Sequence, residues 1–273
     1  MQDALLIIKN LEKGFTLDKR SLSAMGEKSL VVKDVSMEIQ RGMVTGLIGG
    51  NGAGKTTILN LINGLLKPES GEIWYRNKGK TAACHQLPPN RIARLGIGRL
   101  FQGTQWSPDL TVKENIMLML LDPRLERPFY NILRYARYRD LAEELDRKIN
   151  ERLVTFLPYM DIKPLLPVKA EELSFAQQRQ LAFVTLLISD HDLIILDEPV
   201  SGISEGDWKW MGEGIRDFVS RGRSVLLIEH NVDFIRNYVD HCYYISSGSI
   251  LFSGTTEEVL NHPDVRHEYL SVC

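Results

Sequence analysis

The run Gly49-Gly50-Asn51-Gly52-Ala53-Gly54-Lys55-Thr56-Thr57 combines backbone freedom, one positive charge and two hydroxyls, the means to hold a triphosphate. Its glycines let the chain curl until successive N–H groups and a helix N-terminus face one anionic centre. Lys55 is placed to reach the β- and γ-phosphates, Thr56 to offer its hydroxyl to Mg²⁺, and Thr57 to cap the first turn and touch a phosphate. Two further groups could act on what is held there. The apolar run Leu193-Ile194-Ile195-Leu196 ends in Asp197-Glu198-Pro199, and Val225-Leu226-Leu227-Ile228-Glu229 ends in His230. In such a set Asp197 would hold Mg²⁺ directly or through water, Glu198 would polarise the attacking water, and His230 would contact the γ-phosphate and orient both. In-line phosphoryl transfer chiefly needs positioning and charge stabilisation, which these groups supply.

Elements of predictable type must carry these residues. Val44 to Ile48 reads as a strand, and Lys55 to Leu66 places Ile58, Leu59, Ile62 and Leu66 at helical spacing, so the glycines join strand to helix. The runs ending at Asp197 and at His230 have the unbroken apolar character of central parallel strands, whose C-terminal ends form the ligand edge of an open α/β sheet. Leu5 to Ile8 and Val35 to Ile39 also read as strands; in the second, Val35, Met37 and Ile39 alternate with Ser36 and Glu38, as at a half-buried edge. Thr16 to Ser29 between them is polar and aperiodic and reads as an exposed loop. Phe15 at its entrance fits either a core or hairpin residue or a platform for an adenine ring.

Lys67-Pro68-Glu69-Ser70-Gly71 stops the first helix, and Glu72 to Tyr75 resumes a strand. After Gly96-Ile97-Gly98 comes Arg99-Leu100-Phe101-Gln102; taken alone, Gln102 reads as a surface amide. From Asp109 the pattern turns helical, first Thr111 to Leu121, then a charged stretch with Leu141, Leu145, Ile149 and Leu153 four apart. Pro164 and Pro167 break that block, and Ser174 is suited to cap an apolar helix running to Ile188. Cys242 to Ile245 and Ser249 to Phe252 flank Ser246-Ser247-Gly248 as a hairpin, with a short helix after it.

Bulk composition narrows the classes of function. The 273 residues can bury a large core and fit one α/β domain with an insertion. With 33 basic against 35 acidic side chains there is no general attraction to nucleic acid. Cys84, Cys242 and Cys273 give neither a disulfide framework nor a zinc pattern, which points to a reducing compartment. No cleavable leader and no apolar run long enough to span a bilayer is present, so contact with a membrane is expected through partners.

The order of these motifs, with Leu173-Ser174-x-x-Gln177 ahead of the Asp197 strand, resembles the ATP-binding subunit of ABC transporters over nearly the whole chain. The resemblance implies an α/β fold: a P-loop NTPase (RecA-like) core with an antiparallel β-subdomain and a helical subdomain insertion. The core would come from 1–108 and 190–273, and the helical part, carrying the signature, from 109–189. It implies ATP and Mg²⁺ as ligands, with Gly49, Asn51, Gly52, Ala53, Gly54, Lys55, Thr56 and Thr57 around the phosphates. Gln102 would match the Q-loop that senses Mg²⁺ and the membrane subunit, Ser174 and Gln177 the signature, Phe15 the adenine-stacking aromatic, and Ser201 to Ser204 the D-loop. Implied partners are transmembrane permease subunits, a second ATPase subunit and, indirectly, an extracytoplasmic solute-binding protein, with the chain peripheral on the cytoplasmic side. Gly96-Ile97-Gly98-Arg99-x-Phe101-Gln102 and Asn261-His262-Pro263-Asp264-Val265-x-x-x-Tyr269-Leu270 resemble the importer group for branched-chain amino acids, amides and urea.

The chain departs from the family pattern. Phe175 and Ala176 replace the two signature glycines, Ser204 stands where many members carry aspartate, and the loop after Phe15 is long. Ala176 adds a Cβ where backbone must approach phosphate. The expectation is therefore a heterodimer in which this P-loop works with a partner's intact signature, against the alternative that Phe175-Ala176 is a harmless variant. The alternative is a soluble ABC ATPase acting as a mechanical or regulatory module without membrane subunits.

Overall fold

The computed structural model describes residues 4–16, 28–100, 106–120, 143–144, 146–151, 162–203 and 205–269. The chain divides into two compact units, 1–100 together with 191–273, and 101–190.

The first unit is built on two sheets. Strands β1 (Ala4–Thr16), β2 (Lys28–Gln40), β4 (Ser70–Asn77) and β5 (Lys80–Ala83) form an antiparallel sheet in the order β2-β1-β4-β5. β2 is an edge, and its Val35, Met37 and Ile39 are buried while Ser36 is exposed, as the alternation predicts. Both long strands run well beyond the apolar runs that announced them. They can do so because Asn10 and Asp34 take left-handed backbone, φ 47° and 52°, and are joined by Asn10 Nδ2 donating to Asp34 Oδ1 at 2.8 Å. The register shifts beside them, so each strand bends and continues.

The second sheet has six strands in the order β10-β9-β3-β8-β7-β6, with β3 Val44–Ile48, β6 Ile97–Leu100, β7 Leu193–Asp197, β8 Ser224–Ile228, β9 His241–Ser246 and β10 Ser249–Thr255. All neighbours pair in parallel except the β9–β10 hairpin. Every residue of β3, β7 and β8 is buried, which is why these strands read as unbroken apolar runs. Since β8 lies between β3 and β7 and all three are parallel, the segments following Ile48, Asp197 and Ile228 emerge at one sheet edge.

Helix α1 (Lys55–Ile62) buries Ile58, Leu59, Leu61 and Ile62 against the core and stops four residues before the periodicity suggests. The left-handed Gly64, φ 70°, ends it, with Gly64 N donating to Leu61 O and Leu66 N to Asn60 O. A short α2 (Pro89–Ala93) precedes β6.

The second unit contains α3 (Val112–Leu120), α4 (Phe175–Ile188) and helical residues at 143–144 and 146–151. Buried Asn115 knots its loops: Nδ2 donates to the carbonyls of Ser107, Leu110 and Thr111, and Oδ1 accepts from Ser107 N. Trp106 Nε1 donates to Gln178 O at 3.0 Å. In the first unit, α5 (Glu205–Ser220) and α6 (Val232–Tyr238) follow β7 and β8, and α7 (Thr256–Asn261) and α8 (Pro263–Tyr269) follow β10. Among the described residues no helix is long and apolar enough to cross a membrane.

Candidate functional site

The glycine-rich segment leaves β3 and enters α1 through Gly54, which occupies the N-cap position at φ 104°. A Cβ there would lie 2.8 Å from Val31 O, and one on Gly49 would collide with the carbonyl oxygen of Ile245, so neither position admits a side chain without moving backbone. Lys55 is buried to 7 % exposure, and its Nζ donates to Gly49 O at 2.7 Å and Gly50 O at 2.8 Å. The ammonium thus lies back across its own loop and holds the curl. Asn51, Gly52 and Thr56 are exposed, Thr57 is half-buried, and Ala53 is buried. The resulting concavity carries one fixed positive charge and the N–H groups of a helix start, a cradle for phosphate.

At the end of β7 the two acidic residues part company. Asp197 is buried, and its Oδ2 accepts from Arg99 Nη2 at 3.1 Å, with side chains 3 % and 5 % exposed. Arg99 Nη1 donates to Asn60 Oδ1 at 2.7 Å, tying β6, β7 and α1 together. Burial pushes the Asp197 carboxyl above the usual carboxylate range, while Arg99 and then Lys55 work against that shift. Glu198, the next residue, takes the left-handed conformation at φ 51° and turns out of the strand. For a residue with a long side chain this backbone costs about 1–3 kcal/mol, strain of the kind found where a side chain must be aimed. Glu198 N donates to Ile228 O at 2.9 Å, which pins the turn to β8. The carboxylate then meets His230: Nε2 to Oε1 is 3.3 Å, with side chains 37 % and 31 % exposed.

The structure therefore brings Lys55, Asp197, Glu198 and His230 to one edge of one sheet, on the segments after three adjacent strands. Phe15 lies near the end of β1, 41 % exposed, with Lys13 Nζ 5.7 Å from its ring centroid. Gln102 and Ser204 lie outside the described residues. In the second unit Ser174 caps α4, accepting from Gln177 N, while Gln177 Oε1 accepts from Ser174 N at 2.9 Å and Ser174 Oγ at 3.0 Å. Phe175, the first helical residue, is 63 % exposed.

The donor chemistry suits Mg²⁺. Thr56 and Asp197 offer hard oxygens, and among the described residues no group of three or more His, Cys, Asp or Glu could hold an ion unaided. Sequence reasoning missed Arg99, which holds Asp197; the signal available was a charged residue within an otherwise apolar strand.

Comparison with known proteins fits this geometry. The family model described as ABC transporter matches residues 32–201. The High-affinity branched-chain amino acid transport ATP-binding protein LivG of Salmonella typhimurium is 31% identical, covering 88% of this chain and 92% of that protein. Its namesake in Escherichia coli is 30% identical over the same shares. Among solved structures, the ADP conformation of an ATP-binding cassette of an ABC transporter is 27% identical, covers 98% of each chain and superposes with a TM-score of 0.74.

Proposed function

Because this chain belongs to the ABC transporter family, as an ATP-hydrolysing subunit, we propose that it powers import of a small polar solute of the branched-chain amino acid, amide or urea type. The observation that carries the catalytic part is the convergence of Lys55, Asp197, Glu198 and His230 at one sheet edge. The relatives named above, which are branched-chain amino acid transport proteins, support the branched-chain amino acid part of this choice.

In this reading residues 49–57 bind the triphosphate of ATP, the α1 N-terminus and Lys55 meeting its charge, and Phe15 stacks on the adenine. Thr56 and Asp197 hold Mg²⁺, assisted by Gln102; the ion, when bound, neutralises phosphate charge. Glu198 accepts a hydrogen bond from the attacking water, and His230, 3.3 Å away, fixes the carboxylate and reaches the γ-phosphate. Arg99 holds one oxygen of Asp197, so the other keeps a fixed direction.

The first unit serves as nucleotide core with its antiparallel sheet, and the second as the helical part carrying the signature. Two ATPase subunits pair, so that each ATP lies between one chain's P-loop and the other's signature, and they drive transmembrane permease subunits from the cytoplasmic side. Exposed Phe175 and the Cβ of Ala176 at the α4 N-terminus favour a heterodimer, with an intact signature supplied by the second subunit.

The test is solute uptake in cells carrying this chain or Glu198→Gln. Loss of ATP-dependent uptake of branched-chain amino acids, amides or urea in the variant supports the reading. Unchanged uptake of all three classes overturns the solute assignment.

A further inference from the structure

Glu229 has no part in the chemistry described so far, yet it is a carboxylate only 2 % exposed at the end of β8. Burying a charge there requires strong donors. Its Oε1 accepts from His230 N at 2.8 Å and Asn231 N at 3.3 Å; its Oε2 accepts from Val200 N at 3.2 Å. One carboxylate thus spans two turns. One turn begins with strained Glu198 and continues through Val200 and Ser201, whose N donates back to Glu198 O at 3.3 Å. The other begins at His230 and leads through the Asn231 cap into α6. A backbone tie between the turn after β7 and β8 is Glu198 N to Ile228 O.

We infer that Glu229 is a positioning residue for ATP hydrolysis, a staple whose two oxygens hold the Glu198 turn and the His230 turn at the separation their side chains need. This deepens the function proposed above and rests on the reading that Glu198 and His230 act on ATP. The chemistry explains why a carboxylate is required. Both oxygens must accept, and a glutamine of the same shape accepts on one side only, so in either orientation it presents N–H to N–H on the other. Burial pushes the Glu229 carboxyl up overall, and the backbone donors of His230, Val200 and Asn231 work against that shift.

The experiment compares Glu229→Gln with the unaltered full chain in two measurements. The first is hydrogen exchange without nucleotide. A glutamine keeps one acceptor, so exchange should speed about tenfold or more at Val200 or at His230 and Asn231, whichever side the amide nitrogen faces, and leave Ile58 and Leu59 of α1 unchanged. Unchanged protection at both turns overturns the inference. General loss of protection that includes α1 assigns Glu229 to fold stability alone and overturns it too.

The second is hydrolysis by the assembly purified through a tag on the full chain. A positioning role predicts a kcat at least about tenfold lower with KM for ATP within about twofold, because the Lys55 cradle is untouched. Glu198→Gln and His230→Ala run alongside separate the two failures. If those variants keep full kcat, the reading of the site falls, whatever the exchange data say of the staple. If they lose kcat while Glu229→Gln keeps it, the inference alone falls.

Discussion

Replacing Arg99 by methionine should destabilise the first unit severely, by an amount that follows from its surroundings. Its guanidinium is 5 % exposed and faces an Asp197 carboxylate 3 % exposed at 3.1 Å, with a second bond to Asn60 at 2.7 Å. Neither charge has water to fall back on, so solvent screening does not reduce the effect. Removing one partner of such a pair leaves the other buried and uncompensated, at about 3–5 kcal/mol. With a urea slope of about 2–3 kcal/mol per molar, the midpoint should fall by about 1–2 M. The double variant Arg99→Met/Asp197→Leu removes both charges and should recover most of the loss, since an apolar pair of similar volume replaces a buried ion pair at little cost. Urea unfolding of the two single variants and the double one, followed by circular dichroism, provides the cycle. A loss under about 1 kcal/mol for Arg99→Met, or single losses that simply add in the double variant, would refute the reasoning.

Three further outcomes follow from local geometry. Thr255 donates through N and Oγ1 to Glu258 Oε2, both at 2.8 Å, and holds that carboxyl below its ordinary pKa; the resulting stability is present above the ordinary value and is lost as pH falls through the depressed one. Thr255→Val should therefore lower Tm at neutral pH, and the difference should shrink in acid to the part that comes from the Thr255 cap on Glu258 N. Burial pushes the Cys84 thiol up to about 12 and Cys242 up to about 11, so neither should react with a disulfide reagent below about pH 9, while all three cysteines titrate in denaturant. Ala176→Gly should cost α4 up to about 1 kcal/mol in helix propensity and yet, in the pairing proposed above, raise hydrolysis by this chain paired with itself, because backbone can then approach the phosphate more closely; an unchanged rate would make Ala176 a harmless variant.

What could be read in the sequence follows from how local each signal is. β3, β7 and β8 are buried on both faces, so their composition alone declared them, and the residues just past their ends declared the site. The Ser174 cap was legible because Ser and Gln three apart satisfy each other within one turn. β5, Lys-Thr-Ala-Ala, was not, since a strand fixed by the tight turn at Lys78-Gly79 and by pairing to β4 needs no apolar pattern of its own. Nor could Arg99 be matched to Asp197 or Glu229 to Val200. Those partnerships depend on β6 lying beside β7 and β7 beside β8, an order that the chain settles only when folded.

In the function proposed above, Glu198 of this chain drives hydrolysis of ATP held by the Lys55 loop within a membrane assembly. The direct measurement is Mg-ATP turnover by the detergent-solubilised assembly purified through this chain, with wild type and Glu198→Gln compared at saturating ATP. The variant should bind ATP as the wild type does and lose at least about a hundredfold in turnover. A variant that hydrolyses ATP at the wild-type rate would contradict it.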